Sequence, residues 1–113
     1  SIENYVLTPE DLGIRRATFK DVASSRDVRV DAAALLAVLA GKDSGPRSDI
    51  VCLNAAPLLY LMGKAKDLRE GMDLARQAIS EGKPIEKLRQ WVMWQNENPE
   101  DGLPKLEELM ARL

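Results

Sequence analysis

The segment Asp49–Lys64, DIVCLNAAPLLYLMGK, decides the fold of this chain. Between its charged ends it contains only uncharged residues, among them one asparagine and one proline. It is shorter than the ~20 residues that a membrane-spanning helix needs, and longer than the ~4–8 residues of a typical buried strand. Its apolar residues fall on every side of a helical wheel. We therefore predict a helix over about residues 47–62 that is buried on most of its faces.

We make a separate structural prediction for each of three residues inside this segment. Pro57 lacks an amide hydrogen and its ring clashes with the carbonyl of Leu53, so we expect a kink there. An unpaired buried amide costs about 1–3 kcal/mol, so we expect Asn54 to make a structural hydrogen bond to a neighbouring loop rather than to contact a substrate. Cys52 is expected to be a small core residue.

The residues around this segment predict a mostly α fold with one short N-terminal strand. Tyr5, Val6 and Leu7 favour extended backbone, whereas residues 14–29 are polar and are expected to be irregular. Gly, Pro and capping residues mark the ends of the helices. The strand is predicted over about residues 3–7 and the helices over about residues 30–40, 47–62, 68–81, 84–95 and 104–112.

The helix predicted over residues 68–81 has the clearest pattern. Asp67 and Glu70 have the spacing of a capping box, and Gly71 would allow a neighbouring helix to approach closely. Its apolar stripe, which recurs at helical spacing, consists of Leu68, Met72, Ala75 and Ile79.

Composition excludes several classes of function. The chain has 113 residues, 45% of them apolar and 30% charged, which is typical of one soluble globular domain. A net charge of −2 gives no bulk attraction for nucleic acid. Histidine is absent, which removes Ser-His-Asp and Cys-His nucleophiles and histidine-bound metals. One cysteine excludes an internal disulfide and fits a reducing cytoplasm. The chain shows no secretory signal pattern. It begins without methionine, and we therefore expect it to be a piece of a longer protein.

Candidate sites are explained by local structure. The acid pairs lie near helix starts or on solvated faces, where the helix dipole accounts for them, and metal or acid–base roles are less favoured alternatives. Residues 43–46 come nearest to a phosphate loop, but Pro46 removes one amide. We expect one of Trp91 and Trp94 to pack inward and the other to lie at an edge. We assign no catalytic, substrate-binding or metal residue. The acid pairs are Glu10–Asp11, Glu100–Asp101 and Glu107–Glu108.

The order of three segments resembles the carboxyl-terminal third of the anthranilate phosphoribosyltransferases. The pairing of LNAA with LY, followed by Glu70 and Gly71 in the next helix, is the most specific part. The resemblance covers about Tyr5–Leu88, and residues 94–113 run beyond it. The segments are YVLTPEDLGI (5–14), DAAALLAVLAG (31–41) and GPRSDIVCLNAAPLLYLMGKAKDLREGMDLARQAISEGK (45–83).

This resemblance implies the C-terminal part of a three-layer α/β/α catalytic domain, like that of phosphoribosyltransferases and nucleoside phosphorylases. The family enzyme transfers a phosphoribosyl group from phosphoribosyl pyrophosphate to anthranilate, with Mg²⁺, in tryptophan biosynthesis in the cytoplasm. Its G-T-G-G-D loop, K-H-G-N segment, anthranilate-binding arginine and Asp-Glu magnesium pair lie upstream of this region and do not occur here. Pro9, Gly13, Asn54 and Gly71 match architectural positions of the family, and Pro57 departs from it.

We therefore expect a C-terminal fragment of such an enzyme that is inactive alone. Its partner would be the missing N-terminal part, and exposed apolar surface would favour self-association. Nucleic acid and membranes are not expected partners. Two alternatives stay open: a fragment of a related nucleoside phosphorylase, or a small helical interaction module that binds a partner helix through Trp91 and Trp94 or the last helix.

Overall fold

A computed structural model describes residues 2–95 and 99–113 of the chain. Within these residues six α-helices follow one 3₁₀ turn and no strand occurs, so the predominance of helix is confirmed. In chain order the elements are the 3₁₀ turn Pro9–Leu12, α1 Phe19–Val22, α2 Val28–Leu39, α3 Pro46–Leu61, α4 Leu68–Ser80, α5 Lys83–Gln95 and α6 Pro99–Ala111.

The strand expected over residues 3–7 does not form in this structure. Tyr5 and Val6 favour an extended backbone, but they are 75% and 88% exposed. A strand needs a neighbour that pairs with its amides and carbonyls. No described residue supplies such a neighbour, so local preference alone leaves this segment without regular structure.

The polar segment over residues 14–29 is more regular than the sequence suggested. It contains the short helix α1, where the Thr18 amide donates to Asp21 Oδ2 at 2.7 Å. It also contains the start of α2, two residues earlier than expected. The Asp27 carboxylate accepts the Arg29 amide at 2.9 Å and therefore caps α2 from outside its first turn.

The last helix also begins earlier than expected. It starts at Pro99, whereas the sequence predicts a helix over about residues 104–112, and it includes Pro104 in its interior. Residues 96–98 lie outside the described residues, and residues 99–102 are helical.

The main core lies between α3 and α4. A Cβ atom added at Gly71 would lie 2.8 Å from the carbonyl oxygen of Ala56, so the two helices meet backbone to backbone. The close approach expected at Gly71 is therefore confirmed. So is the apolar stripe of α4, because Met72 and Ala75 are buried and Leu68 and Ile79 pack against them. The buried residues of this core are Leu12, Cys52, Ala56, Met72 and Ala75.

A second core joins α2, α5 and α6. Leu36, Ile85 and Leu106 are each 7% exposed and form its centre. Arg89 Nε donates to Glu107 Oε1 at 2.7 Å and ties α5 to α6. Because this ion pair is partly exposed, we attribute the cohesion of this core chiefly to the apolar contacts.

The prediction that α3 is buried on most faces is wrong. Its buried residues are Ser48, Cys52 and Ala56, all on the side that meets α4. Leu58 and Leu61 are 62% and 78% exposed. Burial needs a second layer as well as an apolar surface, and apart from α4 and the short helix α1 the described part of the chain places little against α3. The helix is continuous through its internal proline, and the kink stays a prediction.

We predict that Asp67→Ala destabilises the chain by about 1 kcal/mol. Asp67 Oδ1 accepts the Glu70 amide at 2.7 Å, which confirms its capping role at the start of α4. Urea unfolding followed by far-UV circular dichroism measures the loss. Asp67→Ser keeps a side-chain acceptor and should retain most of the stability. Equal losses for the two variants would contradict the capping role.

Candidate functional site

Two positions of the loop between α2 and α3, where the sequence came nearest to a phosphate site, offer no amide to a phosphate. Asp43 Oδ1 accepts the Gly45 amide at 2.7 Å, and Pro46 at the first position of α3 has no amide hydrogen. A carboxylate therefore lies close to the start of α3. The arrangement starts a helix and would repel a phosphate.

Four carboxylates of the acid pairs, those of Glu10, Asp11, Glu107 and Glu108, pair with neighbouring groups in the described structure. Asp11 Oδ2 accepts the Thr8 amide at 2.9 Å, and this bond lowers the pKa of Asp11. A side-chain hydrogen bond from Arg16 lowers the pKa of Glu10. Glu107 accepts from Arg89, as described above, and Glu108 accepts from Arg112 at 2.5 Å. The side chains of Glu100 and Asp101 lie outside the described residues.

Asn54 and Cys52 have opposite environments. Asn54 is exposed, and its Nδ2 donates to the Ile50 carbonyl of its own helix at 3.0 Å. The expected link from a buried Asn54 to a neighbouring loop is therefore wrong, because the face of α3 that carries it is uncovered. Cys52 has no exposed surface, as predicted, and burial raises the pKa of its thiol, which disfavours the nucleophilic thiolate.

The tryptophans of α5 both face solvent. Trp91 is 56% exposed and Trp94 is 77% exposed, so the expectation that one packs inward is wrong. Ile85, Leu88 and Val92 make the inward contacts of this helix instead. The spacing of the two tryptophans placed them near each other on the helix surface but did not show which side of α5 is covered.

Two arginines of α4, which the sequence pattern did not single out, hold the N-terminal turn. Arg76 Nη2 donates to the Gly13 carbonyl at 3.3 Å and to Asp49 Oδ1 at 3.2 Å. Arg69 Nη1 donates to the Asp11 carbonyl at 3.4 Å. The two arginines lie about two turns apart on one side of α4. Their positions fit the anchoring of the turn against the α3–α4 pair.

The loop before α2 is organised by one carboxylate. The Ser24 hydroxyl and the Ser25 amide both donate to Asp31, the amide to Oδ1 at 2.9 Å. These bonds, the Ser24 hydroxyl first, hold the pKa of Asp31 below its usual value. They form within α2 and the loop that precedes it, so this carboxylate acts as a structural acceptor.

We predict that this loop loosens in acid. Because the folded-state pKa of Asp31 lies below the unfolded value of about 3.9, its stabilisation is fully present above that pH and is lost as the pH falls through the folded value. An NMR titration of the Ser25 amide from about pH 6 to about pH 2 should therefore show a midpoint below about 3.9. In Asp31→Asn this transition should disappear, and its persistence would contradict the assignment.

An open apolar groove of about 680 Å³ runs along α3 and α4. We call it the α3–α4 groove. Leu58 and Met62 of α3 and Leu74 and Ala78 of α4 contribute to its walls. Its volume lies in the usual range for ligand pockets, about 300–1,000 Å³, but such pockets also place a few polar groups that orient the ligand. The charged residues that line this groove are Lys64 and Lys83, and no carboxylate lines it.

The described residues do not assemble a metal or a membrane site. No group of three or more Cys, Asp or Glu side chains in residues 2–95 and 99–113 is arranged to hold a metal ion. None of the helices in the described part of the chain combines the length and apolar character that a membrane crossing requires.

Comparison with known proteins gives a consistent picture over most of the chain. Residues 1–85 match the family described as "Glycosyl transferase family, a/b domain". Anthranilate phosphoribosyltransferase of Sinorhizobium medicae (strain WSM419) is 49% identical over 82 residues, which are 73% of this chain and 24% of that protein. No solved structure matches significantly.

Two further relatives carry the same name. The protein of Chloroflexus aggregans is 36% identical over 92 residues, 81% of this chain and 27% of its own length. That of Clostridium kluyveri is 38% identical over 95 residues, 84% of this chain and 28% of its own length. The chain thus spans about a quarter of the length of each curated relative.

Proposed function

The chain belongs to the glycosyl transferase family whose a/b domain matches its residues 1–85, and from this premise we propose that it forms part of an anthranilate phosphoribosyltransferase. Such an enzyme transfers the phosphoribosyl group of phosphoribosyl pyrophosphate to anthranilate, in the biosynthesis of tryptophan. The observation that carries the proposal is the 49% identity to the Sinorhizobium medicae relative over 82 residues.

Within that enzyme the chain acts as a scaffold. The described carboxylates of the acid pairs accept from a backbone amide or from arginines, Cys52 is buried, and Asp43 occupies the Gly45 amide of the α2–α3 loop. The described residues therefore do not fit a magnesium site, and we assign Mg²⁺ and the catalytic groups to the rest of the enzyme. The chain alone is expected to be inactive.

The proposal also assigns a structural role to the N-terminal segment, residues 3–7. Residues 3–7 have no regular structure and are exposed here, and their side chains favour a strand. In the whole enzyme they would pair with the sheet of a three-layer α/β/α domain, which supplies the missing backbone partners. We propose the cytoplasm as the location, because a biosynthetic transferase works there and the single cysteine needs no oxidising compartment.

A chimera tests the proposed activity. The segment of the Sinorhizobium medicae relative that matches this chain is replaced by residues 2–113, and loss of anthranilate fluorescence is followed with phosphoribosyl pyrophosphate and Mg²⁺. We expect turnover from the chimera and none from the chain alone. Phosphorolysis of thymidine by the same protein tests the nucleoside phosphorylase alternative. A folded chimera without anthranilate turnover would overturn the proposal, and so would turnover by the chain alone.

One observation favours a second candidate function. Trp91 and Trp94 are both exposed and lie beyond the matched residues 1–85. A helical module that binds a partner helix would present such aromatic side chains. If this is their role, Trp91→Ala and Trp94→Ala together should leave the activity of the chimera unchanged and abolish association with a protein partner. If the double variant loses transferase activity while its fold is intact, this second role is contradicted.

A further inference from the structure

The shape of the chain indicates that one layer is absent from it. Its Cα radius of gyration is 16.2 Å, whereas a compact domain of about 100 residues has about 13 Å. The larger value fits two small cores set along an elongated body of 52 × 32 × 23 Å. The surface of such a body includes apolar residues that a compact domain would bury.

A substantial part of this exposed apolar surface lies along α3. No charged residue occurs between Asp49 and Lys64, so beyond its first turn this helix has no charged face. Leu58 and Met62, on the wall of the α3–α4 groove, are 62% and 69% exposed. Contiguous apolar patches of this kind on soluble proteins mark interaction surfaces.

The groove has the anatomy of an interface. Apolar side chains form its walls, and the charges that line it come from Lys64 and Lys83. Lys83 Nζ already pairs with Glu81 Oε2 at 2.8 Å. Lys64 is exposed and can pair with an incoming carboxylate. An apolar centre with a polar rim is the usual arrangement of a protein–protein contact.

We propose, as a deepening of the proposed function, that the α3–α4 groove binds an apolar helix from the remaining part of the family domain, with an acidic residue facing Lys64. The occupant follows from the comparisons, because relatives carry three quarters of their length outside the matched segment. It also follows from the groove, whose lining is apolar apart from Lys64, Lys83 and backbone atoms and so fits an apolar helix better than a polar ligand. Covering the groove gives α3 the second layer that it lacks here.

Co-expression tests this docking. The tagged chain is produced with the part of the Sinorhizobium medicae relative that precedes the matched segment, and the complex is purified and its affinity measured by sedimentation. We expect a complex for the unaltered chain. Leu58→Asp and Met62→Asp should each weaken it at least tenfold, which is about 1.4 kcal/mol. Because both side chains are exposed here, circular dichroism of the free variants should be unchanged.

Trp94→Asp is the matched control, since Trp94 is 77% exposed and lies outside the groove. It should bind as the unaltered chain does. The proposal is overturned if no complex forms, if Leu58→Asp and Met62→Asp bind normally, or if they abolish only a dimer of this chain. A complex without transferase activity overturns the proposed function and leaves the docking surface standing. A chimera that keeps its activity with Leu58→Asp overturns the docking surface and leaves the proposed function standing.

Discussion

Met72→Ala is expected to destabilise the chain by about 2–5 kcal/mol, the range for truncating a buried methionine. Met72 has no exposed surface and packs with Cys52 and Ala56 where α4 meets α3. Removing its side chain leaves a cavity between two helices whose backbones are already in contact, so they cannot close around it. Because native domains have only about 5–15 kcal/mol of stability, this one change removes a large share.

Urea unfolding at low protein concentration, followed by circular dichroism at 222 nm, measures the effect. Met62→Ala is the matched control, because Met62 is 69% exposed in the chain alone and its truncation should cost no more than about 0.5 kcal/mol. Similar losses for the two variants would contradict the burial pattern on which the α3–α4 core rests. In the assembled enzyme the cost of Met62→Ala should rise, if the groove is filled as proposed.

Gly71→Ala is expected to destabilise the chain by about 1–3 kcal/mol, the usual cost of overpacking. Helix propensity alone predicts that the change stabilises α4 by about 1 kcal/mol. The packing against α3 therefore reverses the direction of the expected change in stability. The new Cβ would lie 2.8 Å from the Ala56 carbonyl oxygen and 2.9 Å from its Cα. These are backbone atoms of α3, so the strain is relieved only by moving the helices apart.

Thermal unfolding of the single variant and of a double variant with Ala56→Gly checks the cause. The second change removes the Ala56 Cβ but keeps the carbonyl oxygen and Cα, which are the nearer contacts. The double variant should therefore not recover the stability of the unaltered chain. An increase in stability on Gly71→Ala would contradict the close crossing of α3 and α4.

Features that depend on neighbouring residues could be predicted from the sequence. Asp67 caps α4, and the stripe through Met72 and Ala75 faces the core, because helix ends and faces follow from residue spacing along one helix. Gly71 was correctly expected at a close approach, because a glycine beside the apolar stripe of α4 has no side chain to hold a neighbouring helix away. The absence of catalytic motifs could likewise be read directly from the sequence.

Features that depend on residues far apart in the sequence could not be predicted. The hydrogen bonds from Arg69 to Asp11 and from Arg76 to Gly13 join positions 58 and 63 residues apart, and nothing in the local pattern of α4 pairs them. The exposure of Asn54 and Trp91 was missed for the same reason. Each lies on a helix that the sequence predicts correctly, but on a side of that helix that the described chain leaves exposed.

For this protein the sequence by itself determined where the four longest predicted helices, α2 to α5, lie, which face of α4 is apolar and which family the motifs resemble, since propensity, spacing and residue order are properties of the chain alone. Only the tertiary structure decided how much of that apolar surface is buried. The segment Asp49–Lys64 is apolar on every side, yet one side is covered by α4 and the groove beside it is open. The physical reason is that an apolar surface is buried only when a second surface covers it. The described chain provides α4 to cover one side of α3, but it provides nothing that fills the α3–α4 groove.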